Sequence, residues 1–178
     1  MQAIRQLSNF VSANQKALRF ISMFALIFGV FYFVFGVAPG VRLGLIKPYT
    51  ELLARAVAAI TSLFGADAIA EGTIVRSPEF SLNILMGCDG VEASCLFLAG
   101  VLAFPTSWRA RWIGIALGIP LIHAINLARL VGLYYAGIYM PSAVEEVHIY
   151  VAQTIVILLS TVILVFWLER FAVRYRQA

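Results

Sequence analysis

Phe20–Ile–Ser–Met–Phe–Ala–Leu–Ile–Phe–Gly–Val–Phe–Tyr–Phe–Val–Phe–Gly–Val–Ala38 is an uninterrupted apolar run without a single charge. A helix needs about 20 such residues to cross the hydrocarbon core of a bilayer, so the stretch predicts a transmembrane helix. A signal peptide is the competing reading. Its apolar part runs to only about 7–15 residues and ends in a small-x-small cleavage site. Here the run closes on Val37–Ala38–Pro39–Gly40, and the expectation is a retained anchor.

The whole chain agrees with its first span. Its 178 residues are 62% hydrophobic and 12% charged, with a mean hydropathy of +0.91. Soluble domains hold about 45–50% apolar and about 25% charged residues. That excess cannot be hidden in a soluble core of this length, which predicts an all-α integral membrane protein forming a single membrane domain over 1–178. Outward from 20–38, further spans are expected at 91–104, 112–140 and 149–168, four in all. The 112–140 segment is longer than a crossing needs and contains Pro120, which predicts a kinked or broken helix.

The sizeable stretch outside these spans is 39–89. Pro48 suits a helix start, and Leu53, Val57, Ile60 and Phe64 recur at helical spacing with Glu51, Arg55 and Ser62 off that stripe, an amphipathic helix along the bilayer surface or packed on the bundle. Further on, Phe80, Leu82 and Ile84 alternate with Glu79, Ser81 and Asn83, the period of a half-buried strand. With Gly72–Thr–Ile–Val–Arg76 before it, this predicts a small β-hairpin turning at Ser77–Pro78. The hairpin delivers the chain to Gly87–Cys88–Asp89–Gly90–Val91–Glu92, a thiol in a polar, glycine-rich turn just before an apolar run.

Lysine and arginine concentrate on the cytoplasmic side of membrane proteins. With the amino terminus inside, Arg5, Lys16, Arg19, Arg109, Arg111, Arg170, Arg174 and Arg176 fall on the cytoplasmic side, against Arg42, Lys47, Arg55 and Arg76 outside. Both termini are then cytoplasmic, and every acidic residue except Glu169 lies outside. Trp108 and Trp112 read as interfacial anchors. In this topology Cys88 precedes the second span, Arg129 nears the outer end of the third, and His148 opens the fourth. Three elements bring a thiol, a guanidinium and an imidazole to one level.

Each has a plainer reading. Arg129 inside an apolar run costs a few kcal/mol or more unless it serves a purpose, although snorkelling to headgroups is open to it. Asn126 shares its helix face and can orient the guanidinium. A polar turn, a helix start and an arginine all favour the reactive thiolate of Cys88. Cys95, set among Ala93, Ser94, Leu96 and Phe97, reads as a packing residue. His148 is either a surface histidine or a general acid/base near neutral pH. His123, deeper in the third span, reads chiefly as a helix–helix hydrogen bonder, and Asp89 as part of the turn. Together these are the parts of cysteine acyl transfer: a thiolate to attack a carbonyl, an imidazole for the leaving-group proton and a guanidinium for the oxyanion. No cofactor is expected, and no metal site, nucleotide loop or nucleic-acid module is seen.

The ordered set Cys88–Asp89–Gly90 before a span, Asn126–Leu–Ala–Arg129 within a later one and His148 at the start of the last resembles the exosortase/archaeosortase family of membrane transpeptidases. The resemblance covers roughly residues 83–170 and is closest to the compact bacterial branch, of the exosortase H kind. It implies Cys88 as nucleophile with Arg129 and His148 completing the site, Asn126, Asp89 and Gly90 supporting it. It also implies substrates that are exported proteins with a carboxy-terminal sorting signal (a short motif, a hydrophobic helix and a basic tail), passed to a cell-surface acceptor at the outer face of a bacterial inner membrane. The other readings are a non-enzymatic membrane scaffold or transporter subunit, with Arg129 binding an anionic group such as a lipid headgroup, and a membrane thiol protease ending in hydrolysis. A thiol oxidoreductase lacks a second cysteine placed to resolve Cys88.

Overall fold

The computed structural model describes residues 14–85, 87–142 and 153–172. Helix α1 covers Gln15–Phe31 and widens into a π-helical stretch, Tyr32–Val37. The chain turns at Ala38 and runs through Pro39–Val41 and Arg42–Ile46 into α2, Lys47–Leu63. Three short strands follow, β1 Ile69–Glu71, β2 Ile74–Arg76 and β3 Ser81–Asn83. Then come α3, Val91–Ala103, α4, Trp108–Tyr139, and α5, Gln153–Trp167, which ends in a wide turn, Leu168–Ala172.

The chain is therefore an all-α, multi-pass membrane protein carrying one small sheet. Gln15–Val37, Trp108–Tyr139 and Gln153–Ala172 are each long and apolar enough to cross a membrane. The other expected span is α3, apolar but only 13 residues long. At 1.5 Å per residue it rises about 20 Å, short of the roughly 30 Å hydrocarbon core.

Between membrane helices lipid is as apolar as leucine, so close packing and hydrogen bonds replace the hydrophobic effect. The contact of α3, α4 and α5 shows both. Phe97, Ile122, Val156 and Trp167 are buried among the three helices. Gly114 leaves room for the Trp167 indole against α4, and that indole Nε1 donates to the Ala110 carbonyl at 2.8 Å. Helix α1 is held differently. It lies along α3 without burying any of its own residues, and Phe20, Phe24, Phe28 and Tyr32 form a ring ladder one turn apart.

Outside this layer, α2 and the sheet cover one end of α4. Helix α2 buries Thr50, Leu53, Ala54, Val57, Ala58 and Thr61. The expected stripe is thus right at Leu53 and Val57 and wrong at its end: Phe64 caps the helix and is 76% exposed. The buried face follows the small residues, because α2 lies close against the sheet and α4. The sheet also corrects the expectation of a hairpin. The turn at Ser77–Phe80 is present, with Ser77 N–H bonded to the Phe80 carbonyl at 2.9 Å, but β1 adds a third antiparallel strand, in the order β1–β2–β3. Gly72, at φ +61°, makes the extra turn. Val75 pairs with Leu82, and both point into the core with Val57, Leu130 and Tyr134.

Helix α4 runs unbroken through Pro120. Proline removes one backbone donor and crowds the preceding turn, and in membrane helices the surrounding structure absorbs this. The broken-helix alternative is thereby excluded. The consequence is geometric: Asn126 and Arg129 stand on the same continuous helix as Trp108 and Arg111.

Candidate functional site

The Cys88 turn is set by backbone conformation. Gly87 and Gly90 take φ of +85° and +82°, where a side chain is strained. At Gly90 space is short as well, since an added Cβ would sit 3.2 Å from Asn126. Cys88 N–H bonds the Leu85 carbonyl at 3.0 Å. Asp89 Oδ1 accepts from Val91 N–H at 3.0 Å and so satisfies one of the open donors at the start of α3. Cys88 is 7% exposed and Asp89 2%.

From α4, Asn126 Nδ2 donates to the Cys88 carbonyl at 3.0 Å. Arg129 Nη1 donates to Asn126 Oδ1 at 3.3 Å and to Gln153 Oε1, on α5, at 3.0 Å. Its Nε and Nη2 are buried and make no hydrogen bond to oxygen or nitrogen among the described residues. The guanidinium also reaches the Cys88 thiol, through its charge and as a hydrogen-bond donor. Cys88, Asn126 and Arg129 thus form one connected group, with Asp89 and Gly90 shaping the turn beneath it. His148 lies outside the described residues, as do Glu145 and Glu146.

Burial pushes the Cys88 thiol above the ordinary thiol range, the Arg129 charge and hydrogen bond pull it back, and Asp89 and Glu92 push it up again. Loss of water outweighs the guanidinium, a direction that disfavours the thiolate, the form that attacks a carbonyl. Burial also raises Asp89 above the ordinary carboxylate range, against its backbone hydrogen bonds and the charges of His123 and Arg129. Cys95, on the buried side of α3, is not disulfide-bonded to Cys88.

Two partners were not foreseen. Gln153 orients Arg129 from α5; a lone amide in an otherwise apolar segment was the available signal. Tyr49, on α2, approaches the Asp89 carbonyl and His123. Nothing in sequence spacing links it to a turn forty residues on.

A family model described as transmembrane exosortase matches residues 13–167, which takes in α1, the sheet, the Cys88 turn and α5 to its end at Trp167. Comparison with curated proteins and with solved structures gave no significant match.

Proposed function

The chain belongs to the transmembrane exosortase family, and we propose that it is a cysteine transpeptidase that cleaves carboxy-terminal sorting signals and passes the protein to an acceptor. What supports this reading most is the Arg129 guanidinium, held by Asn126 and Gln153 and directed at the Cys88 thiol by charge and hydrogen bond.

In this mechanism His148 takes the thiol proton and Cys88 Sγ attacks the scissile carbonyl carbon. A C–S bond forms, and the carbonyl electron pair moves to oxygen, where Arg129 N–H groups stabilise the oxyanion. Collapse breaks the C–N bond, and His148 returns the proton to the departing amine. The thioester is then attacked by an acceptor amine or hydroxyl, or by water, which regenerates the thiol. The substrate would be an exported protein with a short motif, a hydrophobic helix and a basic tail, the helix packing in the bilayer against the bundle. On the lysine/arginine bias, Arg109 and Arg111 would lie at the cytoplasmic end and the site at the extracytoplasmic face of a bacterial inner membrane, with both termini inside.

Co-expression with a reporter carrying such a tail tests the reading. Tail removal by the wild type, lost in Cys88→Ala and Cys88→Ser at unchanged membrane levels, is the expected result. Undiminished removal by Cys88→Ala would replace this chemistry with the scaffold reading, in which Arg129 binds an anionic group.

A further inference from the structure

The three consecutive carbonyls of Cys88, Asp89 and Gly90 each lie within 3.4 Å of a side-chain amide or hydroxyl, on α4, α2 and α3 in turn. Asn126 on α4 bonds the first at 3.0 Å. Tyr49 Oη on α2 lies 3.4 Å from the second, and Ser94 Oγ on α3 lies 3.0 Å from the third. His123 joins the last two: its Nδ1 is 2.6 Å from Tyr49 Oη and its Nε2 is 3.2 Å from Ser94 Oγ.

Counting protons orders these contacts. Each hydroxyl has one proton to give, and a neutral imidazole has one donor and one acceptor nitrogen. With the proton on Nε2, Tyr49 Oη donates to Nδ1, Nε2–H donates to Ser94 Oγ, and Ser94 Oγ–H donates to the Gly90 carbonyl. The chain of bonds then runs one way from α2 through α4 and α3 into the turn. The distances fit, since the short bond is Tyr49 to His123 and the Asp89 carbonyl is the longer, alternative acceptor for the same hydroxyl. Burial, and then the Asp89 charge, push the Tyr49 hydroxyl up to about 12, so it keeps its proton at neutral pH. Imidazole and phenol also meet edge to face, with centroids 5.3 Å apart.

We infer that His123 is a positioning residue, which through Tyr49 and Ser94 locks the Cys88 turn against α4 and so fixes the thiol relative to Arg129. Its bearing on turnover rests on the reading of Cys88 as nucleophile; its bearing on the turn does not. Asn126 alone holds only the first carbonyl. The Tyr49–His123–Ser94 chain ends on the Gly90 carbonyl at the far side of the turn and ties α2, through His123 on α4, to α3.

The test uses the full chain in lipid nanodiscs. Tyr49→Phe and Ser94→Ala each remove one hydroxyl with little change of shape, His123→Ala removes the junction, and Tyr49→Phe/His123→Ala closes a double-mutant cycle. Two quantities are read: the pH midpoint of Cys88 alkylation by iodoacetamide, located by mass spectrometry, and kcat and KM for tail release. Each single variant is expected to displace the midpoint by about half a pH unit or more and to lower kcat about tenfold with KM little changed, as for a misplaced reacting group. The double variant should be no worse than His123→Ala, because residues acting as one unit are not additive. Variants that lower thermal stability but keep the wild-type alkylation midpoint and kcat would overturn the inference, as would additive effects in the cycle. If Cys88→Ala still releases the tail, the nucleophile reading falls while the alkylation midpoints still decide whether the turn is locked.

Discussion

Arg129 is the residue through which Cys88 can be tuned, and the direction follows from the charges around it. Burial raises the thiol and the guanidinium lowers it. Arg129→Gln removes the lowering influence, so the alkylation midpoint of Cys88 should climb by about one pH unit or more. The thiolate fraction at any fixed pH below that midpoint should fall accordingly. A midpoint unchanged within error would mean that Arg129 does not act on the thiol. Gly90 gives a second prediction. Alanine there needs left-handed backbone at φ +82° and brings its Cβ against Asn126. Gly90→Ala should lower stability by about 1–2 kcal/mol, read as a depressed thermal midpoint, and displace Cys88. Cys88, Asn126 and Arg129 were legible in the sequence because a charge inside an apolar run and a thiol in a polar turn both break the local pattern. Tyr49 breaks none, an aromatic residue on an amphipathic helix, and its part appears only when the fold brings α2 over the turn.

Among the elements, the packing of α4 against α5 depends on small residues rather than on a wide apolar face. Gly114→Val would drive a side chain into the Trp167 indole and disturb its bond to the Ala110 carbonyl. A loss of about 1–3 kcal/mol is expected, as for other overpacked cores, measured by thermal unfolding in detergent beside Gly132→Val. An added Cβ at Gly132 meets nothing, so that variant should stay near wild type. Sequence periodicity reveals the helices but not which faces meet, since membrane helices are apolar all round; α3 is the clear case. The amphipathic α2 is different, because its outer layer is sorted by water, and there the stripe at Leu53 and Val57 was readable. The strand Ile69–Glu71 was not, since three residues of Ile–Ala–Glu are too few to show an alternating period.

Across the whole molecule, two lengths bear on the depth of the thiol under the proposed topology. Asn126 stands about 22 Å along α4 from Arg111, which with Trp108 and Trp112 would mark one membrane boundary. The hydrocarbon core is about 30 Å thick, so on this topology the Cys88 carbonyl bonded to Asn126 would lie about 8 Å beneath the opposite boundary, and deeper if α4 tilts. The short rise of α3 leads to the same depth. In intact membranes a small, membrane-permeant maleimide should therefore label Cys88 at least about tenfold faster than a bulky charged one of equal intrinsic reactivity. Equal rates would place the turn in open water. On the proposed transpeptidase reading this depth would have a chemical meaning: the scissile bond would be met at the end of the substrate's hydrophobic helix, where water competes poorly with the acceptor for the thioester.

The measurement that tests the central claim most directly is the intact mass of the purified protein after mixing with a peptide that carries a sorting-type tail. An acyl adduct on Cys88, released by hydroxylamine and missing from Cys88→Ala, is the predicted result. Tail release by Cys88→Ala at the wild-type rate, with no adduct on the wild-type thiol, would contradict it.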